Sequence, residues 1–465
     1  MAWDRGFEAA FDPRAVAVVG ASDTSRARFQ GAGFIRNFLQ LGFKGRIYPV
    51  NSEVSEVAGL KAYPGLRSLP GPVDLVIVSV PAAQVPGVLE ECVAVGARNV
   101  HVYTAGFSES GREEGRLLEQ RVREISLRGG LRVVGPNCMG INVPRVGMMT
   151  LLPRPVSSGP VAFVSQSGGH AMNLVPYAAS FGIGFSKVIS YGNGTVMDST
   201  DFLEYLAADP ETRIIGLYLE GVSDGRRLLE LVRETNRTKP VVVWKGGMTD
   251  TGARAAASHT GSLAGSQAVW EAFFSQSGAV RVNSLEEMAD MMLSFLVLPP
   301  LSGNRVAVFL GGGGHSVTTA DFSAREGMEV PRLGEKTRRE LGAFIPLAGT
   351  SVNNPVDCEQ AMRAPEMFER MLKVVAADPV VDALVVDHQL DVLQGAGPDA
   401  IQRVGRAMVE LATGDASRKP LLAVLETWGA DPAMNRERAR LQKELGQAGI
   451  GVYRTFPRAC RALSR

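Results

Sequence analysis

The chain has 465 residues, 49 basic and 48 acidic, so no overall field recommends nucleic acid or an anionic membrane as a partner. With 45% hydrophobic and 21% charged residues it is not dominated by disorder, and its length suggests three domains at about 150 residues each. The 52 glycines point to many tight turns and ligand loops.

The chain opens on MAWDRGFEAAFDPR, which carries charge where a signal peptide needs an apolar core. No apolar run approaches the roughly 18 residues of a membrane span, so a cytoplasmic setting is expected. A β-branched run then breaks into small residues three times: AVAVVGAS at 15–22, PVAFVSQSGG at 160–169 and RVAVFLGGGGHS at 305–316. Val161 follows Val16, and Val306 follows Val161, by the same 145 positions. Each stretch reads as strand, tight turn and helix start. The apolar segments VDLVIVSVP, IIGLYLEG and VDALVVDH suit strands of a parallel sheet covered on both faces. Three consecutive Rossmann-like or flavodoxin-like, doubly wound α/β domains with mostly parallel sheets are expected, at 1–145, 146–300 and 301–465. The Pro/Gly/Ser-rich stretches 144–160 and 298–304 read as linkers.

In the first domain the turn Gly20, Ala21, Ser22 precedes a helix and can present backbone N–H groups to phosphate, or simply connect strand to helix. The dinucleotide fingerprint GxGxxG is absent. The second strand, GRIYPVNSE, ends in Asn51 where a nicotinamide site would place an acid. NAD is therefore disfavoured. Arg26 and Arg28 either meet phosphates or remain solvated loop charges. Val80 and Pro81 in SVPAAQ, Thr104 to Phe107 in YTAGF, and Asn137 with Cys138 in GPNCMGI fall where strands should stop, on the edge where parallel sheets bind ligands. Cys138 has no histidine near it in sequence and reads as a packed thiol. With Cys92, Cys358 and Cys460 it forms no CxxC pair, which speaks against zinc and against a disulfide framework.

VAVVGAS, YPVN, SVPA, YTAGF and GPNCMG, in this order, resemble the CoA-binding domain of the nucleoside-diphosphate-forming acyl-CoA synthetases, the superfamily of succinyl-CoA synthetase. The resemblance implies that Gly20, Ala21, Ser22, Asn51, Val80, Pro81, Asn137 and Cys138 contact coenzyme A. The loop SDTSRARFQG departs from the family in being richer in arginine and poorer in glycine.

In the second domain Ser165, Gln166, Ser167, Gly168 and Gly169 lead into a helix, and an exposed helix start attracts an anion. Taken alone, this is also an ordinary Ser/Gly cap. His170 reads as a surface or packing residue. Glu220 ends a strand, where its carboxylate can hold an imidazole N–H or sit in solvent. In AAASHTGSLAG, His259 is placed among small residues, so a large group can approach its ring. An imidazole oriented by a carboxylate is a good nucleophile toward phosphoryl groups. SHTGSLAG resembles the family's phosphohistidine loop, SQSGG its phosphate-receiving helix start and LYLEG its supporting strand. By that resemblance His259 is phosphorylated, Glu220 supports it, and Ser165 to Gly169 bind phosphate. Lys245, in VVWKGG, either neutralises phosphate or is an ordinary strand-end lysine.

The third stretch, with GGGGHS and NNPVD, resembles the family's ligase-like domain. His315, at a helix start after four glycines, either touches an anion or is structural or part of a subunit contact, the latter being the expectation. Asp387 and His388 are followed by no SHTG motif, so a second active site is not expected. No ATP-grasp module is apparent. The resemblance therefore implies an α-type subunit of a hetero-oligomer, with ATP or ADP and Mg²⁺ held by a separate ATP-grasp β-type partner and with no metal site of its own. The implied reaction converts acyl-CoA, ADP and phosphate into a small carboxylic acid, ATP and CoA. A non-catalytic CoA-binding or regulatory protein on the same scaffold is the alternative.

Overall fold

The computed structural model describes residues 5–23, 31–150, 155–254, 266–346, 348–397, 399–414, 419–429 and 431–465. His259, Arg26 and Arg28 lie outside them. Strands form where the β-branched runs occur. The first set comprises β1 (Ala15–Val19), β2 (Arg46–Val50), the short hairpin β3 (Glu56–Val57) and β4 (Leu60–Lys61), β5 (Leu75–Val78), β6 (Asn99–Val102) and β7 (Arg132–Val134). The second comprises β8 (Gly140–Asn142), β9 (Ser158–Ser165), β10 (Phe185–Ser190), β11 (Ile214–Leu219), β12 (Val241–Lys245) and β13 (Val280–Val282). The third comprises β14 (Val306–Leu310), β15 (Val356–Asp357), β16 (Ala383–Gln389), β17 (Leu421–Glu426) and β18 (Gly451–Tyr453).

The sheet orders are β2-β1-β5-β6-β7, β13-β12-β11-β9-β10-β8 and β15-β14-β16-β17-β18. All these neighbours run parallel except β8, which pairs antiparallel with β10. In each sheet the first parallel strand lies between the second and the third, as in flavodoxin-like folds, and the reversal of strand order opens a crevice at the carboxyl ends. Central strands such as β1, β11 and β14 are buried along their whole length because helices cover both faces.

The first two sheets lie in one compact unit, residues 1–179 and 183–288, and the third in another, residues 180–182 and 289–465. In the first unit one apolar cluster runs from Val16 and Ile77 under the first sheet to Val164 and Leu217 under the second. Phe11 stacks on Tyr205 with ring centroids 4.3 Å apart, so the chain start packs on a helix beside the second sheet. Two details differ from the linker expectation. β8 precedes residue 145 yet forms the edge of the second sheet. Met148, Met149 and Thr150 are buried, with Asn142 Oδ1 accepting the Thr150 N–H at 2.6 Å, so this part of the connection is packed structure. In the second unit, Phe309, Phe368, Leu384 and Met408 lie in one core cluster on one side of the sheet, while Val308, Val385 and Tyr453 lie in another.

Candidate active site

The turn after β1 requires glycine at position 20. Gly20 has φ +84°, and a Cβ there would lie 2.4 Å from the Ser79 carbonyl oxygen, so the backbones after β1 and β5 approach as only glycine allows. Asn51, just beyond β2, donates its amide to the Ala21 carbonyl at 2.7 Å, and its Oδ1 accepts the Glu53 N–H at 2.8 Å. It thus shapes the Gly20–Ser22 turn through Ala21. Thr104 ties the next strand end in the same way, its hydroxyl donating to the Val80 carbonyl at 2.6 Å.

These strand ends face the start of the helix Gly168–Ala179 across a cavity of about 670 Å³. From the first sheet it is lined by Ser79, Val80, Pro81, Tyr103, Thr104, Ala105, Asn137, Cys138 and Met139, and from the second by Gln166, Ser167, Gly168, Gly169 and Met172. Of the expected CoA residues Val80, Pro81, Asn137 and Cys138 line this cavity together with Gln166, Ser167, Gly168 and Gly169 of the expected phosphate residues, whereas Gly20, Ala21, Ser22, Asn51 and Ser165 are not among its lining residues. Nothing in the sequence singles out Met139 or Met172 except adjacency to GPNC and SQSGG. The loop carrying Asn137 is held in a left-handed conformation, Asn137 at φ 57° and Gly135 at φ 105°. A Cβ on Gly135 would meet the Val102 carbonyl oxygen at 2.5 Å. Asn193, in the loop after β10, braces the opposite side: its Nδ2 donates to Glu109 at 2.7 Å and to Glu119 at 2.9 Å.

Cys138 is buried and its thiol donates to the Val102 carbonyl at 3.3 Å. Burial pushes this thiol far above the ordinary range, so it is a packed group and not a thiolate nucleophile.

At the second sheet the two serines of the SQSGG stretch are held differently. Ser165 is fully buried as the last residue of β9, and its hydroxyl donates to the Ser167 carbonyl at 2.6 Å. It accepts the Ser167 N–H at 3.2 Å. This hydroxyl shapes the turn, and Ser165 is not among the residues lining the cavity. The helix starts at Gly168, where Ser167 Oγ accepts the His170 N–H at 3.3 Å. Gln166 lines the cavity, but its Oε1 is engaged: it accepts the backbone N–H groups of Glu220 at 2.8 Å and Gly221 at 3.1 Å, and the Tyr191 hydroxyl at 3.3 Å.

Glu220 is 5% exposed, and the Tyr218 hydroxyl donates to its Oε1 at 3.2 Å. β9 and β11 are neighbours, so Gln166 and Glu220 mark the crevice of the second sheet where strand order reverses. Lys245, the last residue of β12, is also 5% exposed, and burial lowers its ammonium to about 8 while the Glu220 carboxylate works in the opposite direction. His170 packs its ring 4.3 Å from that of Tyr218 and 4.5 Å from that of Trp244, which makes it a packing residue.

The second unit has its own crevice between β14 and β16. There His315 Nε2 lies 3.3 Å from Asp387 Oδ2, beside a cavity of about 200 Å³ that His388 and Trp428 also line. Burial raises the Asp387 carboxyl to about 8, with Glu426 adding to the effect. Among the described residues no group of three or more His, Cys, Asp or Glu side chains is arranged to hold a metal, and no helix is long and apolar enough to cross a membrane.

Residues 14–144 match the family model of a CoA binding domain, and residues 158–295 that of a succinyl-CoA ligase like flavodoxin domain. The two matched segments meet at the cavity, and this pairing defines a CoA-ligase scaffold. The chain is 40% identical over 415 residues to the α subunit of ADP-forming acetate–CoA ligase II of Pyrococcus furiosus, covering 89% of this chain and 88% of that protein. It is 34% identical over 464 residues to the corresponding α subunit of ligase I, covering 98% and 96%. ADP-forming acetate–CoA ligase I of Archaeoglobus fulgidus is 38% identical over 394 residues, which cover 84% of this chain and 56% of that longer protein. The fold matches a solved structure of the dinucleotide-forming acetyl-coenzyme A synthetase 1 of Ca. Korarchaeum cryptofilum in complex with phosphate and ADP, at TM-score 0.82 and 33% identity, covering 98% of this chain and 95% of that one. The chain belongs to the family of ADP-forming acetate–CoA ligase α subunits.

Proposed function

We propose that this chain is the α-type subunit of an NDP-forming acyl-CoA synthetase and interconverts acyl-CoA, ADP and phosphate with a free carboxylic acid, ATP and CoA. The observation that carries this reading is the single cavity lined by the Val80–Pro81 and Asn137–Cys138 strand ends of the CoA-binding segment and by the Gln166–Gly169 helix start of the ligase-like segment. A thioester held by the first and a phosphate held by the second would meet there, and positioning supplies much of the barrier reduction in such a transfer.

Phosphate attacks the thioester carbonyl, the C–S bond breaks and CoA leaves as the thiolate, giving an acyl phosphate. An imidazole nitrogen of His259 then takes the phosphoryl group: the P–N bond forms as the P–O bond to the acyl oxygen breaks, and the carboxylate leaves with the electron pair. Glu220 orients the ring by accepting its remaining N–H. The phosphoryl group passes from His259 to ADP on an ATP-grasp β-type partner, which holds the nucleotide and Mg²⁺. Covalent capture on the histidine lets thioester and nucleotide exchange energy without meeting. We assign residues 1–145 to CoA, 146–300 to phosphoryl capture and 301–465 to the ligase-like domain.

The test combines the purified chain with its ATP-grasp partner, CoA, MgATP and a panel of small carboxylic acids, and follows consumption of free thiol. Thiol loss that needs both chains and one of the acids is expected. The chain alone with MgATP should form no phosphohistidine, and robust self-phosphorylation would overturn the requirement for a partner.

A further inference from the structure

Three lysines lie against the second sheet, and they are satisfied in different ways. Lys187, in β10, is 3% exposed and meets Asp209 at 2.6 Å and Glu211 at 3.0 Å. Lys239, before β12, donates to the carbonyls of Leu206 at 2.9 Å and Asp209 at 2.6 Å; burial lowers its ammonium while the Asp209 carboxylate works in the opposite direction. These are the matched cations of a structural network. Lys245 is buried as deeply as Lys187 but has no such match. Its ammonium donates to the neighbouring Gly246 carbonyl and lies 5.0 Å from the centroid of the Trp270 ring. Among the described residues no carboxylate forms an ion pair with it. A buried ammonium is normally paired, because removal from water costs several kcal/mol by general estimates of the effective penalty. A structural lysine has no reason to bear that cost at this position.

The surroundings indicate what the charge is for. In the parallel register Lys245 lies opposite Leu219, and Gly246 N–H donates to the Leu219 carbonyl at 2.9 Å, so the residue after Leu219, Glu220, stands at the adjoining strand end. Glu220 is the charged group whose field acts on Lys245. Trp270 lies in the helix Gln267–Ser277, the element that follows the segment carrying His259. The cation thus lies between the carboxylate of the crevice and the helix that continues from the histidine segment.

We propose that Lys245 is the resident cation of the phosphoryl-transfer site, balancing Glu220 in the resting protein and the charge added when His259 is phosphorylated. This rests on the reading of His259 given above. Lys245 makes and breaks no covalent bond; it lowers the energy of the charged phosphoryl group while P–O cleavage and P–N formation proceed. Its incomplete pairing in the resting state is what leaves it free to respond to an arriving anion. Burial, opposed by the Glu220 carboxylate, holds this ammonium near the border of ionisation, at about 8. A phosphoryl dianion nearby favours the charged form.

The test uses the complex of this chain with its ATP-grasp partner, supplied with acetyl-CoA and radiolabelled inorganic phosphate without nucleotide. The initial rate of acid-labile labelling of this chain is followed across neutral and alkaline pH for wild type, Lys245→Met and Lys245→Arg. Removing the charge should slow labelling about a hundredfold, whereas arginine should keep the rate within about tenfold of wild type, with CoA affinity unchanged in both. The wild-type rate should fall above about pH 8, and that limb should be absent in Lys245→Arg because guanidinium stays charged. Labelling of Lys245→Met at the wild-type rate, or the same alkaline limb in Lys245→Arg, overturns the proposal; the arginine variant decides it if the methionine variant does not fold. Absence of label in wild type overturns the His259 reading and this one with it, whereas label in wild type with an undiminished methionine variant overturns this one alone.

Discussion

The side-chain carbonyl of Gln166, at the end of β9, accepts the backbone N–H groups of both Glu220 and Gly221 at the end of β11. One amide oxygen thus sets the spacing between the helix start that faces the cavity and the carboxylate of the neighbouring strand. Gln166→Leu would leave both buried N–H groups without an acceptor, at about 1–3 kcal/mol for each orphaned donor. The first unit should lose about 3 kcal/mol of unfolding free energy in chemical denaturation, a loss expected from these two unmet donors. A change below about 0.5 kcal/mol would mean that water or another group replaces the amide.

Glu220→Gln keeps the shape of the side chain and removes its charge. Phosphohistidine formation from acyl-CoA and phosphate should slow by about a hundredfold, the lower range for loss of a positioned acid–base partner. CoA affinity, measured by calorimetry, should not change, because Glu220 does not line the cavity that the CoA-binding strand ends enclose. An equal loss in CoA binding would show that the carboxylate acts through the fold of the first sheet.

Gly20→Ala tests the turn after β1. The new methyl group would press on the backbone of Ser79 at a positive φ, and both effects oppose it. We expect at least tenfold weaker CoA binding, equivalent to about 1.4 kcal/mol, together with a lower melting temperature. Unchanged CoA affinity would remove Gly20 from the CoA site.

His101 gives the first unit a pH signature. Its ring is wholly buried, with a Gly140 Cβ position only 1.5 Å from its Cε1, and burial lowers it from 6.5 to about 4. The unfolded chain takes up the proton near 6.5, whereas the folded one refuses it until about 4. Its contribution is therefore constant above pH 6.5 and is lost as pH falls through this window, at a limiting slope of about 1.4 kcal/mol per unit. In His101→Leu the fall in stability of the first unit across that window should be shallower than in wild type, measured by chemical denaturation. Identical slopes would assign the acid sensitivity elsewhere.

Much of the site could be read from the sequence because parallel strands appear as unbroken apolar runs and their ends mark one edge of the sheet. The pattern alone puts Val80, Pro81 and Asn137 at that edge and Gly168 at a helix start, and all four line one cavity. Hydroxyl direction was not legible. Ser165 and Ser167 look equivalent in SQSGG, yet the strand pleat buries the first and leaves the second at the helix start. The pairing of β8 with β10 was hidden for a different reason: three residues carry too little pattern to announce an antiparallel partner more than 40 positions later. The role of Gln166 depends on a strand more than 50 residues away. The cost of an unpaired Lys245 becomes visible only once its neighbours are known.

The account stands on phosphoryl transfer through His259, and the most direct measurement is site localisation of that group. The chain and its partner would be turned over with acyl-CoA and phosphate, digested at neutral to alkaline pH and analysed by mass spectrometry, with His259→Asn in parallel. We predict an acid-labile phosphate on the peptide containing His259, absent from the variant, which should still bind CoA but make no ATP. ATP synthesis by His259→Asn at the wild-type rate, or phosphate confined to another peptide, would contradict it.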